Sequence, residues 1–148
     1  MKYALDTNIY IDAFRDASAA AALLGFLERA LPSTFLSALV MQELAAGART
    51  HAQLRELERS VFDPFARRGR VFAPMTTAFV RSGRLLAAVA SREGWPAVHE
   101  NPSLLNDALL AASCEEAGIS LITRDSDFDR FAPEMRGWRH VRPWPDVS

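Results

Sequence analysis

Four acidic residues, in separate stretches of the chain, stand where a carboxylate is hard to explain by structure alone: Asp6, Glu43, Asp107 and Asp125. The first and the last directly follow apolar runs, and the other two interrupt the apolar faces of helical segments. Carboxylates that meet in a low-dielectric pocket repel one another by several kcal/mol unless a cation neutralises them. Together the four acids therefore predict a metal-dependent enzyme.

Each acid also has a purely structural alternative. Asp6 and Asp125 could each cap the helical turn that follows a strand, and Asp107 could favour the positive end of its helix. Glu43 is the hardest to explain this way, because it lies six residues after Ser37, where a capping box requires three. One shared site explains all four acids more simply than four unrelated structural roles.

The elements that must position these acids follow from the apolar periodicity and the turn residues. Strands are predicted at residues 2–5, 34–37, 70–73, 119–123 and 139–142. Helices are predicted at residues 8–14, 18–30, 38–48, 51–67, 76–92, 103–118 and 126–131, with Ser18 and Ser103 as N-caps and a loop at 94–102. Strands that alternate with helices indicate an α/β fold with a parallel sheet covered on both faces.

This fold class would bring the four acids to one place. Ligands of open parallel sheets bind outside the carboxyl ends of the strands, where Asp6 and Asp125 are expected to emerge. Asp107 shares a helix face with apolar residues three, four and seven positions later, and Glu43 likewise lies among apolar neighbours at helical spacing. We therefore expect both helical acids to point inward at the same pocket.

Length and composition are those of an ordinary globular chain. The 148 residues, 49% of them hydrophobic, suit one domain spanning residues 1–148. The net charge of −1 indicates no polyanionic partner, although sixteen of the seventeen basic residues are Arg and only Lys2 is lysine. Arginine suits phosphate and carboxylate partners, but solvated helix faces explain the same composition.

The expected location is cytoplasmic. The single cysteine, Cys114, allows no internal disulfide and suits a reducing compartment. Asp6 interrupts the N-terminal segment before an apolar signal region develops, and no apolar stretch approaches the ~20 residues that span a bilayer. No membrane association is expected.

Four motifs, taken in order, resemble those of PIN-domain ribonucleases, and especially the VapC-type toxins of bacterial type II toxin–antitoxin systems. They are Leu-Asp-Thr-Asn at residues 5–8, Ser37 with Glu43-Leu44 and Gly47, Asn-Asp-Ala-Leu-Leu-Ala at 106–111, and Ile-Thr-Arg-Asp-Ser-Asp-Phe at 122–128. The resemblance extends from Lys2 to about residue 131. It implies an α/β/α sandwich with a four- or five-stranded parallel sheet, Mg²⁺ or Mn²⁺ dependence and endonucleolytic cleavage of RNA. It also implies a homodimer and an antitoxin partner. Val40 departs from the pattern, since many relatives carry a hydroxyl residue there.

The residues themselves agree with a hard metal ion. Oxygen ligands without a His or Cys cluster favour Mg²⁺ or Mn²⁺ over Zn²⁺, and the three histidines are scattered. The expected ligands are Asp6 and Asp107, with Asp125 bound directly or through water. Glu43 is expected to complete the shell or to activate the attacking water. Asp127 is held in reserve for a second metal, with an exposed first-turn acid as the simpler interpretation.

Polar residues near the acids have expected supporting roles. Thr7, Asn8 and Thr123 are positioned to hydrogen-bond the carboxylates or the substrate phosphate, or else are ordinary turn residues. The candidates for phosphate contacts are Arg124, Arg81 and Arg84, with the tail group Arg136, Arg139, His140 and Arg142. Residues 19–31 and 51–67 are the candidate dimer helices.

Two alternatives to a ribonuclease toxin remain open. The chain could be a catalytically idle PIN scaffold that binds a protein or RNA, or a PIN nuclease that acts in RNA processing. An aspartyl-nucleophile phosphatase is excluded because Asn8 stands where a second acid is needed, and a receiver domain is excluded because Lys2 is the only lysine.

Overall fold

A sheet of five parallel strands forms the centre of the protein. The computed structural model describes residues 1–147. The strands are β1 Lys2–Leu5, β2 Thr34–Ser37, β3 Val71–Phe72, β4 Ile119–Ile122 and β5 His140–Val141, in the order β3-β2-β1-β4-β5. The predicted α/β class and all five strands are confirmed, with ends that differ by at most one residue.

The strand order explains why the site lies where it does. The chain runs outward from β1 through β2 to β3, and then returns to the other side of β1 to form β4. The order therefore reverses between β1 and β4, which is the switch point where open α/β sheets form a crevice. Leu5 pairs with Ile122, and the backbone N–H of Asp6 donates to the Ile122 carbonyl at 2.9 Å. The residues after β1 and β4 thus leave the sheet side by side.

Helices flank the sheet, which agrees with the predicted layers. They are α1 Thr7–Arg15, α2 Ala17–Ala30, α3 Ala38–Gly47, α4 His51–Leu57, α5 Asp63–Arg67, α6 Thr76–Glu93, α7 Pro96–His99 and α8 Pro102–Ala117, with 3₁₀ segments at Leu31–Ser33 and Ser126–Glu134. Helix α1 packs against α2 and α3, whereas α6 packs against α8 and the Ser126–Glu134 segment. No helix within residues 1–147 is both long and apolar enough to cross a membrane.

Two predicted N-caps are wrong. Helix α2 is capped by Asp16, whose carboxylate accepts from the Ala19 N–H at 2.9 Å, so Ser18 lies inside the helix. Helix α8 begins at Pro102 and has no side-chain cap, and the Ser103 hydroxyl instead donates to Asn101 Oδ1 at 2.7 Å. Proline suits the first helical position because its missing N–H would have no partner there.

Two predicted boundaries also change. The predicted loop at residues 94–102 contains the short helix α7. The predicted helix at residues 51–67 is helical throughout, but Glu58–Phe62 adopts a π-helical turn between α4 and α5. Such turns are rare and widen the helix locally, and apolar periodicity alone does not reveal them.

The core supports the two strands that carry the site. Ala4, Leu5, Leu121 and Ile122 are fully buried, as expected for central parallel strands covered on both faces. Cys114 on α8 is a buried free thiol within this core. The strand ends are therefore held by rigid packing.

Candidate active site

Asp6 is the most buried of the predicted acids, with 6% of its surface exposed. Its Oδ1 accepts from the Thr7 N–H at 2.8 Å, so it caps α1 as the structural alternative proposed. Its Oδ2 accepts from Thr123 Oγ1 at 2.7 Å and from Asn8 Nδ2 at 3.2 Å. Burial raises the pKa of Asp6, and the hydrogen bonds from Thr123 and Thr7 offset part of that rise. Asp6 is thus both the N-cap of α1 and a member of the acidic site.

Thr123 links the ends of β1 and β4. Its buried hydroxyl donates to Asp6 and accepts from Asn8 Nδ2 at 3.2 Å and from the Asp125 N–H at 3.0 Å. This hydroxyl therefore uses its donor and both of its lone pairs. The hydrogen bonds connect the acid that follows β1 to the backbone of the acid that follows β4.

Three other carboxylates form a cluster beside Asp6. Asp107, Asp125 and Asp127 each offer an oxygen atom, and these atoms lie within 4.8 Å of one another. Asp125 Oδ1 also accepts from the Asp127 N–H at 2.8 Å and so caps the segment that follows it. Asp127 lies in the first turn of that segment, as predicted, and is half-buried beside the other two acids. We call these three residues the acidic triad.

The charges of the site are mutually coupled. Burial raises the pKa of Asp107 to about 7, and the charges of Asp6, Asp125, Asp127 and Glu43 add to the effect. Burial also raises the pKa of Glu43, with a further contribution from Asp6. Five carboxylates from four parts of the chain therefore share one electrostatic environment.

Glu43 lies half-buried on α3, on the Thr7 side of the site. The Thr7 hydroxyl partly offsets the rise in the pKa of Glu43. Within residues 1–147, however, Thr7 Oγ1 is a buried atom without a hydrogen-bond partner of standard geometry. A polar atom of this kind is costly to bury.

The donor set fits a hard divalent cation. All the clustered donors are carboxylate oxygens, which Mg²⁺ and Mn²⁺ prefer. The raised pKa of Asp107 indicates that the charged form lacks sufficient positive compensation from the protein itself. A divalent cation held by the acidic triad would supply that charge.

Two of the predicted phosphate-binding arginines are engaged within the protein. Arg124 forms a two-pronged ion pair with Asp12, with Nε–Oδ2 at 2.5 Å and Nη2–Oδ1 at 2.8 Å. Arg81 pairs with Glu115 at 2.9 Å and donates to the Glu134 carbonyl at 2.5 Å. Glu115 is eight residues beyond Asp107 on α8, which corresponds to about 12 Å along the helix. The structure therefore places Arg81 apart from the acids.

The other predicted cations lie on exposed surface or beside the sheet edge. Arg84 is exposed on α6, and Arg136, Arg139 and Arg142 are exposed in the C-terminal region. His140 on β5 contacts Asp129 at 2.8 Å. None of these contacts brings a cation into the acidic triad.

Two site-proximal residues were missed by sequence reasoning. Asp12 contacts Arg124, and its only sequence signal is that it lies four residues after Asn8, on the same face of α1. Arg130 lies 3.8 Å from Asp127 and 3.5 Å from Glu93, with a spacing of three from Asp127 as its signal. Both spacings are common on solvated helices, so neither would have been singled out.

A cavity of about 620 Å³ opens beside Glu43. Apolar side chains of α1, α3 and α4 line much of it, and charged groups lie among them; the lining includes Ile11, Phe14, Arg15, Leu44, Leu57 and Glu56. Phe14 is 57% exposed although it is a large apolar side chain. Sequence reasoning did not anticipate this cavity, because it forms between helices distant in sequence.

The parallel sheet and the carboxylates at its switch point place this chain in the class of α/β proteins with an acidic site suited to a metal ion. The PIN domain family profile matches residues 3–133, so the chain belongs to the PIN-domain family, whose members are nucleases. The resemblance carried by the four motifs is thereby confirmed at the level of the family. A search of the curated proteins finds no match.

Solved structures share this fold over nearly the whole chain. FitAB bound to an IR36 DNA fragment has a chain with a TM-score of 0.71 and 18% identity, covering 99% of this chain and 98% of its own. DNA-bound VapBC from Salmonella typhimurium has a TM-score of 0.67 and 21% identity, and the match covers 96% of this chain and 98% of that chain. VapBC2 from Rickettsia felis, bound to a promoter DNA fragment, has a TM-score of 0.62 and 20% identity, and the match covers 98% of this chain and 100% of that chain. At sequence identities this low, the structural likeness shows that these proteins share a fold with this chain.

Proposed function

We propose that this protein is an Mg²⁺- or Mn²⁺-dependent endoribonuclease and the toxin of a toxin–antitoxin pair. The observation that carries the proposal is the meeting of five carboxylates at the switch point of the sheet, with the pKa of Asp107 raised to about 7. An idle scaffold has no use for such a costly concentration of charge. Membership in a nuclease family gives the concentrated charge a catalytic purpose.

Asp107 and Asp125 are the central ligands in this proposal. Asp127 joins them from the same cluster, and Asp6 contributes its charge from the end of β1. The sequence-based ligand set contained Asp6 and held Asp127 in reserve for a second metal, and we now include both residues. When bound, the divalent ion would lower the pKa of a water molecule and neutralise charge on the phosphate in the transition state.

Glu43 is proposed to orient the attacking water and to accept its proton. Its pKa lies above the ordinary glutamate value, which brings its basicity closer to that required near neutral pH. Attack in line with the leaving oxygen would break the bond between phosphorus and the ribose 3′ oxygen. The products would be a 5′-phosphate and a 3′-hydroxyl. Arg84 and Arg124 are proposed to contact flanking phosphates.

The decisive experiment is cleavage of total cellular RNA with Mg²⁺ or Mn²⁺, followed by analysis of the new ends. Asp6→Asn and Asp107→Asn should each lower the cleavage rate by at least about a hundredfold, because each removes charge from the site. Asp63→Asn, at an exposed acid on α5, is the control and should cleave as the wild type does. Full activity of Asp6→Asn would contradict the catalytic proposal. A wild type that is neither active nor stabilised by Mn²⁺ would favour the idle scaffold.

We further propose that an antitoxin occupies the cavity beside Glu43. The structural neighbours are toxin–antitoxin complexes, and the cavity combines apolar walls with Glu43 and Glu56. This lining suits an amphipathic segment with apolar side chains and a basic residue that reaches the acids. Such a segment would block the site and compete with the metal for its carboxylates.

The test uses the protein encoded by the adjacent open reading frame as inhibitor. Phe14→Glu should weaken inhibition at least tenfold and leave RNA cleavage intact, because Phe14 lines the cavity but lies outside the acidic site. Leu24→Glu is the matched control, since Leu24 is equally exposed on α2 but does not line the cavity. Equal effects of the two substitutions would place the partner elsewhere, and no inhibition at all would assign the nuclease to RNA processing.

A further inference from the structure

One face of α1 holds the loop that carries Asp125. Asn8 and Asp12 are four residues apart in α1 and therefore lie on the same side of the helix. Asn8 Oδ1 accepts from the Arg124 backbone N–H at 3.3 Å, and its Nδ2 donates to Thr123 Oγ1 at 3.2 Å. The backbone after β4 is thus fastened to the first turn of α1.

Asp12 adds the strongest of these contacts. Both of its carboxylate oxygens accept from the Arg124 guanidinium, at 2.5 and 2.8 Å, and this paired geometry is rigid as well as charge-assisted. The Arg124 side chain is 53% exposed and that of Asp12 is 34% exposed. Ion pairs this exposed contribute little to global stability, so the pair is better placed to order the loop than to stabilise the fold.

The residues on either side of Arg124 belong to the site. Thr123 donates to Asp6, and Asp125 lies in the acidic triad and accepts from the Asp127 N–H. If Arg124 is immobile, the positions of both neighbouring residues are restricted. Metal ligands depend on such surrounding contacts for their orientation, and loss of one typically costs ten- to a hundredfold in metal affinity.

We propose that Asp12 is a positioning residue that acts through Arg124 to hold Asp125 in the geometry the acidic triad needs. This inference rests on the proposed function, because it assumes that the triad holds a divalent ion. Among residues 1–147, the Asp12 carboxylate pairs with Arg124 and forms no hydrogen bond or ion pair with the triad. Arg124 thereby has its main role within the protein, in addition to any contact with a phosphate.

The test compares Asp12→Asn, Arg124→Gln and the double variant by Mn²⁺ titration, monitored by thermal unfolding without RNA. We expect each single variant to bind Mn²⁺ about tenfold more weakly, and the double variant to be no weaker, because both substitutions remove the same contact. Without metal, hydrogen exchange of the amides at residues 124–127 should become faster while the melting temperature stays nearly unchanged.

Asp63→Asn and Arg67→Gln provide the matched control, since they form an exposed pair at 3.9 Å on α5. Both should bind Mn²⁺ as the wild type does. Mn²⁺ affinity within twofold of wild type in Asp12→Asn, with unchanged amide exchange, would overturn the proposal. Tighter RNA binding by Asp12→Asn with unchanged metal affinity would also overturn it, since it would show that Arg124 serves the phosphate. A wild type that does not bind Mn²⁺ would contradict the proposed function, and amide exchange alone would then decide the role of Asp12.

Discussion

At the scale of single residues, the site is defined by carboxylates whose charged forms are disfavoured by burial and by one another. Asp6 is buried with three hydrogen bonds, whereas Asp107 has burial and four neighbouring negative charges acting on it. Asp107 therefore has a pKa near neutrality, so its protonation changes within the pH range in which the protein can be studied. It is the best single reporter of the site in the absence of metal.

The pH dependence of stability should reveal Asp107 directly. Its pKa rises from 3.8 to about 7 on folding, so its favourable contribution is fully present below about pH 4 and is lost as the pH rises through 7. Relative to Asp107→Asn, metal-free wild type should therefore lose stability between about pH 4 and 7. Thermal unfolding of both proteins in a chelator measures this difference.

Saturating Mn²⁺ should abolish that loss, because the bound cation favours the charged carboxylate. Asp63→Asn, at an exposed acid, should run parallel to the wild type throughout. A constant difference between wild type and Asp107→Asn across this pH range would show that the Asp107 pKa is not raised by folding.

At the scale of elements, the turn between α8 and β4 sets the distance between Asp107 and Asp125. Gly118 ends α8 with a φ of +67°, in the left-handed region that side chains disfavour. Its N–H closes the end of the helix by donating to the Glu115 carbonyl at 3.1 Å. The chain can then enter β4 at Ile119 without an intervening loop.

Gly118→Ala should destabilise the protein by about 1–2 kcal/mol because of this backbone conformation. Gly83→Ala is the matched control in α6, where a methyl group would meet nothing within 4 Å. It should stabilise the protein by up to about 1 kcal/mol through helix propensity. Urea unfolding of both variants measures the signs, and a neutral Gly118→Ala would show that the turn adapts.

At the scale of the whole molecule, arginines connect the helices on one side of the sheet to the segment that follows Asp125. Arg81 joins α6 to Glu115 on α8 and to the Glu134 carbonyl, and Arg92 pairs with Glu134 and donates to the Arg130 carbonyl. These contacts fasten the Ser126–Glu134 segment, which carries Asp127, to α6. The rigidity of the site thus depends on residues outside it.

Arg81→Gln should lower the unfolding free energy by about 1–3 kcal/mol, since it breaks half-buried hydrogen bonds to charged and carbonyl partners. The KM for RNA should stay unchanged if the role of Arg81 is within the protein. Arg84→Gln, one turn away and exposed, should change stability by less than about 0.5 kcal/mol. A raised KM for Arg81→Gln with unaltered stability would restore Arg81 as a phosphate contact.

Local sequence patterns correctly predicted those structural features that have a local physical cause. The strands were found because buried parallel strands are continuous apolar runs, and Asp6 and Asp125 follow two of them. The cap at Ser18 was wrong because Asp16 caps α2 two residues earlier. The cap at Ser103 was wrong because α8 already begins at Pro102. The cavity forms between helices, and no local pattern in the sequence records it.

The sequence by itself indicated the fold class and predicted the acids Asp6, Glu43, Asp107 and Asp125, because strand ends and inward helix faces follow from periodicity. The order of the four motifs indicated the family. Tertiary structure alone decided that Asp127 joins Asp107 and Asp125, and that Arg124 and Arg81 pair within the protein. Such choices depend on distances of a few ångströms between elements far apart in the chain. Those distances are set by the strand order and by helix packing, which come into existence only when the chain has folded.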